Sequence, residues 1–180
     1  VDWHPWSEQA LTLAHEQDKP ILLSIGYSAC HWCHVMAHES FEDKTTADLI
    51  NRDYIAIKVD REERPDLDQI YQNAHNLLTG RSGGWPLTLF LTPDQTPFYG
   101  GTYFPPQARY NRPGFKDLLP QVAQAYRERR HDIAQQNISL RESLASGGPV
   151  PQAGTNPGPA PLAGALTQLE KNFDPVYGGF

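Results

Sequence analysis

Cys30 and Cys33 are the only cysteines among 180 residues, separated by His31 and Trp32 and followed at once by His34. Two thiols at i and i+3 can meet across one helical turn, close enough to bridge or to share a metal. A helix starting at Cys30 would place unpaired backbone N–H groups and a positive dipole end beside its sulfur, which favours the thiolate. With a second thiol one turn further in, the pair is equipped for thiol–disulfide exchange. Cys30 attacks, and Cys33 resolves the mixed disulfide. This reading makes Cys30 the more exposed sulfur. A protonated His31 favours S⁻ and pushes the couple toward oxidising. Trp32 and Trp85 can flank the thiols as an apolar docking surface, although Trp85 would serve equally well as a core residue. The competing chemistry is a metal site drawing on Cys30, Cys33, His34 and His38. Because His34 trails Cys33 by one residue, the four do not converge on a tetrahedron, and no metal is assigned.

Composition narrows the classes. Hydrophobic residues at 39% and aromatics at 11% can build a core, and the net charge of −6 argues against a nucleic-acid or anionic-membrane surface. No apolar run approaches the ~20 residues that span a bilayer. Two cysteines exclude a disulfide scaffold, and a close CxxC pair in a cytosol-like protein reads as redox or metal chemistry, with a cytoplasmic location expected. The chain opens at Val1 with neither an initiator Met nor a signal-like apolar stretch, and is read as a trimmed fragment.

The thiols need elements to hold them. Ser7 caps a predicted helix running to about Gln17, and Ile21–Ile25 reads as a fully buried strand leading straight into the CxxC. A helix is predicted from Trp32 to Phe41, another after Glu42-Asp43, and a strand over Tyr54–Val59. Pro65 opens a helix with Asp66 and Asp68 at its positive end, closed by Gly80. Gly83-Gly84-Trp85-Pro86 then leads into a strand, Leu87–Leu91, and a short last strand is expected over Pro97–Phe104. One long helix is predicted over Phe115–Leu144, with Pro120 kinking it or lying near its start. Residues 146–162 are rich in Gly and Pro and read as a linker. Helical spacing resumes over 163–180, which reads as the start of a truncated second domain. Asp60-Arg61-Glu62-Glu63-Arg64 is a charge run of the kind that forms a solvated turn with paired ions; a rim beside the CxxC is the alternative. Asn137-Ile138-Ser139 matches a glycosylation sequon, but on a predicted helix.

Ile21–Ser24 through Cys33, together with Trp85-Pro86-Leu87-Thr88-Leu89-Phe90, resembles the thioredoxin fold: α/β, a central mixed sheet with helices on both faces, here with a long C-terminal helix. Several segments resemble, more specifically, the N-terminal domain of the spermatogenesis-associated (YyaL-like) family. They are Val1–Trp6, Cys30–Met36, Glu39–Asp43, Lys58–Asp66, Gly83–Pro86 and Gly101–Pro105, and the likeness covers roughly residues 1–140. It implies a thioredoxin-like domain over 1–145, followed in the family by an α/α barrel similar to sugar epimerases and glycosidases. The tail Asp174–Phe180 looks like the opening of that barrel. In thiol oxidoreductases a loop such as Trp85-Pro86 lies against the CxxC with a cis proline and offers a backbone edge to the substrate. Ordinary thioredoxins bury an acid six residues before the first cysteine. Ser24 stands there instead, so proton transfer to Cys33 falls to His34, Asp60, Glu62 or water.

The sequence therefore predicts a thiol–disulfide oxidoreductase without a cofactor. Its partners would be a protein or small-molecule thiol or disulfide and the chain's own missing C-terminal domain, with no nucleic acid and no membrane. Two rivals stand beside it. One is a non-catalytic docking, regulatory or redox-sensing module, and the other is an interface for a sugar-acting barrel.

Overall fold

The computed structural model describes residues 1–109, 113–146, 158–176 and 178–179. Helix α1 (Glu8–Glu16) starts where Ser7 Oγ accepts the Ala10 N–H at 3.3 Å. Strand β1 (Ile21–Gly26) leads into α2 (His31–Met36), which passes directly into a π-helical turn (Ala37–Phe41). Asp43 then caps α3 (Lys44–Asp53), accepting the Thr46 N–H at 2.8 Å, and β2 (Ile55–Asp60) follows. Pro65 begins α4 (Pro65–Thr79), which ends at Gly80 with φ +65°, a left-handed C-cap that a side chain would strain. Strands β3 (Leu87–Leu91) and β4 (Pro97–Gly101) form a hairpin, and α5 (Phe115–Glu128) and α6 (Arg130–Ser146) follow.

The four strands form one sheet in the order β2-β1-β3-β4, with β1 parallel to β2 and the other neighbours antiparallel. A βαβ crossover joined to a β-hairpin in one mixed sheet, with helices on both faces, is the thioredoxin fold. Side chains alternate between the faces. One face presents Ile21, Leu23 and Ile25 beside Ile55, Ile57, Val59, Leu87, Leu89 and Leu91, covered by Ala10 and Ala14 of α1 and Leu67 and Tyr71 of α4. The other presents Leu22, Ala56 and Phe90, covered by Met36, Phe41, Ile50 and the apolar side of α5.

Three predicted boundaries move. The helix expected over Trp32–Phe41 changes to π-helix at Ala37. The last strand stops at Gly101 rather than Phe104, because the chain folds back so that a Cβ on Gly101 would lie 2.7 Å from the buried Phe104 ring. The long helix expected over Phe115–Leu144 breaks at Arg129, whose φ of −116° and ψ of 37° are not helical, and Pro120 sits within the second turn of α5. The break re-aims α6 so that Asn137 Nδ2 donates to Thr92 Oγ1 at 3.1 Å and Arg141 pairs with Asp94 at 3.2 Å, both at the β3–β4 turn.

Residues 148–180 form a second unit, whose helix α7 (Ala160–Asn172) leaves Leu162, Leu166 and Leu169 exposed. Most of the Gly/Pro-rich stretch expected as a linker, residues 147–157, lies outside the described residues. Among the described residues, no helix is long and apolar enough to cross a membrane.

Candidate functional site

Strand β1 ends at Gly26, and the chain turns through Tyr27–Ala29 to Cys30, which caps α2. The Cys30 N–H donates to Tyr27 O at 3.2 Å, and Cys30 Sγ accepts the Cys33 N–H at 3.2 Å. Cys30 and Cys33 are joined by a disulfide with an S–S distance of 2.07 Å. The expected order of exposure is reversed. Cys30 is 3% exposed and Cys33 is partly exposed. As the cap, Cys30 turns its sulfur inward over the first turn, where the orphan N–H groups lie. Cys33 Sγ rests on the end of β1, and a Cβ on Gly26 would come within 2.8 Å of it. The strand pattern of the sequence gives no hint of this requirement for glycine, because Gly26 reads there only as a strand end.

A groove of about 870 Å³ opens beside the first turn of α2, lined among others by His31, Trp32, Glu39, Trp85, Tyr103 and Arg109. Trp32 is 54% exposed, with its ring 5.1 Å from Tyr103 and 5.7 Å from His31. The Tyr103 hydroxyl donates to Glu39. The Trp85–Pro86 bond is cis, as the likeness to thiol oxidoreductases implies, and Trp85 is partly buried. The structure thus brings His31, Trp32 and Trp85 to one groove.

Of the residues considered for proton transfer, Asp60 pairs in register with Gly26, the residue that lies against Cys33 Sγ. His34 is exposed, with Nε2 2.7 Å from Ser28 O. Asp60 Oδ1 accepts the Glu62 N–H at 2.7 Å, and the Glu62 side chain is exposed. The group beside Ser24 is instead Lys58, its partner in the β1–β2 register. Lys58 Nζ donates to the buried Ser24 hydroxyl at 3.4 Å and lies 4.9 Å from the ring centroids of both Trp3 and Phe41. The residue as a whole is exposed, but its ammonium end is crowded by protein, and desolvation there lowers its pKa below the ordinary lysine value. An alternating strand such as Ile-Ala-Ile-Lys-Val hints at such a residue only weakly, as the single charge in an apolar run.

The four residues weighed for a metal diverge. The two sulfurs are bonded to each other, His34 faces Ser28 O, and His38 Nδ1 meets Glu42 at 2.9 Å on an exposed helix face. Among the described residues no group of three or more His, Cys, Asp or Glu could hold a metal ion. The sequon is closed, since Asn137 is 2% exposed and hydrogen-bonded to Thr92. The charge run divides in two. Arg64 pairs with Asp66 at 2.7 Å as a surface turn would, whereas Arg61 lies over the Trp85 ring, 4.0 Å from its centroid.

The sequence pattern of the Thioredox_DsbH family, described as a protein of unknown function, DUF255, matches residues 1–145. Among curated proteins, the chain is 38% identical to human spermatogenesis-associated protein 20 and 40% identical to an uncharacterised protein of Caenorhabditis elegans. All of the chain is aligned, against 23% and 24% of those proteins. The chain therefore spans about a quarter of the length of these relatives. Among solved structures, a DsbH oxidoreductase superposes with a TM-score of 0.50 at 17% identity, covering 71% of this chain and 85% of that one. At that identity the likeness speaks for the fold.

Proposed function

The chain belongs to the DUF255, DsbH-type thioredoxin family, and from that premise we propose that it is a thiol–disulfide oxidoreductase acting through Cys30 and Cys33. The observation that carries this reading is the Cys30–Cys33 disulfide at a strand-to-helix junction, with Cys30 Sγ already accepting a backbone N–H. That donor stabilises negative charge on Cys30 more than on Cys33, so Cys30 is the attacking and attacked sulfur despite its burial. In the oxidising direction, one thiolate of a partner dithiol attacks Cys30 Sγ. The S–S bond to Cys33 breaks, and Cys33 leaves as a thiolate that takes up a proton. The partner's second thiolate then attacks its own bridged sulfur and releases Cys30. The partner loses two electrons and two protons, the pair gains two electrons, and the reverse sequence reduces a partner disulfide. No cofactor enters the exchange.

His31 and Trp32 on one wall and Trp85-Pro86 on the other would meet the partner, a protein or small-molecule thiol or disulfide. Residues 163–180 are read as the start of an α/α-barrel domain that presents or receives such a partner. Replacing each cysteine in turn tests the reading. Cys33→Ser is expected to accumulate a mixed disulfide with a reactive thiol–disulfide probe through Cys30, whereas Cys30→Ser is not. Equal trapping by both variants, or by neither, would overturn the assignment.

A further inference from the structure

Arg61 begins the loop after β2, and its backbone N–H donates to Gly26 O at 2.9 Å, which ties the loop to the last residue of β1. Its guanidinium carbon lies 4.0 Å from the Trp85 centroid and 5.5 Å from that of Tyr27, and the two rings meet edge to face at 5.8 Å. Below them, Asp68 in the first turn of α4 is 7% exposed, an unusual degree of burial for a carboxylate. It accepts the Trp85 indole N–H at 2.9 Å and a Gln72 amide N–H at 3.2 Å, with Arg61 Nε 3.7 Å away. Gln72 also donates to Gly84 O at 3.2 Å, and a Cβ on Gly83 would fall 1.8 Å from Gln72 Oε1. Trp85 is thus held on one face, on its polar edge and through the backbone before it.

Burying a carboxylate costs free energy unless its oxygens are paired, and the aliphatic core on this side of the sheet has no need of one. What Asp68 and Arg61 do together is remove the freedom of Trp85. That residue forms one wall of the groove whose other side is His31 and Trp32. We propose that Arg61 and Asp68 are positioning residues for thiol–disulfide exchange. They fix Trp85 so that residues 83–85 present a rigid edge to the main chain of a polypeptide partner approaching Cys30. The proposal rests on the oxidoreductase reading above and deepens it. A polypeptide disulfide needs this wall, and a small dithiol that reaches the sulfur alone does not.

The test compares two substrates in the wild-type chain and in Asp68→Asn and Arg61→Lys. The second variant keeps the charge and loses the planar stacking surface at a partly exposed position, so it preserves the fold. Turnover of insulin disulfide is expected to fall roughly tenfold in kcat/KM, mostly through KM. The rate at which dithiothreitol reduces Cys30–Cys33, and the position of its equilibrium with glutathione, should stay within about twofold. By NMR, the Trp85 indole N–H should lose its protection from exchange in Asp68→Asn. If the insulin and dithiothreitol rates fall together, or neither moves while wild type is active, the positioning role is overturned. A wild-type chain that exchanges with neither substrate overturns the oxidoreductase reading itself, and the positioning role with it.

Discussion

The two faces of the sheet are built from the same four strands and do different work. On the face under α1 and α4, every β1, β2 and β3 position is Ile, Leu or Val, from Ile21 and Leu23 to Leu89 and Leu91. On the face under α2, the matching rows run Leu22, Ser24, Gly26 beside Ala56, Lys58, Asp60 and Thr88, Phe90. The hydrophobic cover there gives way to hydroxyls, a missing side chain and a cation as it approaches the disulfide. Thr88 Oγ1 donates to Met36 Sδ at 3.8 Å and Lys58 to Ser24, so these polar groups are satisfied, but they contribute little apolar burial. The contrast teaches that one face is aliphatic along its whole length, whereas the other is apolar away from the disulfide and polar beside it, where its residues shape the surroundings of two sulfurs.

Substitutions on each face should separate these roles. The largest effect is expected from Leu89→Ala on the aliphatic face. Leu89 is fully buried, and its truncation should cost about 2–5 kcal/mol in denaturant unfolding while leaving the Cys30–Cys33 equilibrium with glutathione unchanged. A large redox shift in this variant would erase the distinction between the faces.

Gly26→Ala comes next, on the functional face. Its Cβ would sit 2.8 Å from Cys33 Sγ, so the sulfur must move, at a cost of about 1–3 kcal/mol. The oxidised form should suffer more, because there Cys33 is tied to Cys30 and cannot swing aside. Redox titration is expected to show the variant more easily reduced than wild type, whereas an equal loss in both forms would place the constraint in the backbone.

The smallest effect belongs to Lys58→Met. Desolvation lowers the Lys58 pKa, so the unfolded chain binds more protons than the native one between the native value and the ordinary 10.5. The cost of holding the ammonium against protein is fully present below that window and disappears as pH rises through it. Lys58 therefore makes wild type gain stability with rising pH relative to Lys58→Met. Parallel unfolding curves from pH 8 to 10.5 check the sign.

Much of this was legible in the sequence, because local signals and tertiary packing agree. Ser7, Pro65 and Gly80 mark helix ends by their own chemistry, and the runs Ile21–Ile25 and Leu87–Leu91 are apolar enough to be buried on both faces. The CxxC and Trp85-Pro86 announce the site by residue type. What escaped depends on distance across the fold. The break at Arg129 answers to contacts of Asn137 and Arg141 with a turn 45 and 47 residues earlier. The requirement for Gly26 is set by a sulfur on the next element, and the inward turn of Cys30 by its role as a cap. Arg61 reads as one charge in a hydrophilic run, since nothing local reveals a tryptophan stacked beneath it. Lys58 reads as an ordinary strand residue, because its partner, Ser24, is reached only through the strand register.

On the proposed function Cys30 is an activated sulfur in this corner of the fold, and its thiol pKa in the reduced protein tests that most directly. Alkylation of Cys30, followed by mass spectrometry as a function of pH, is predicted to titrate below about 7.5, as expected for a thiolate held by a backbone donor. Titration at the free-thiol value of about 8.5 or above would contradict it.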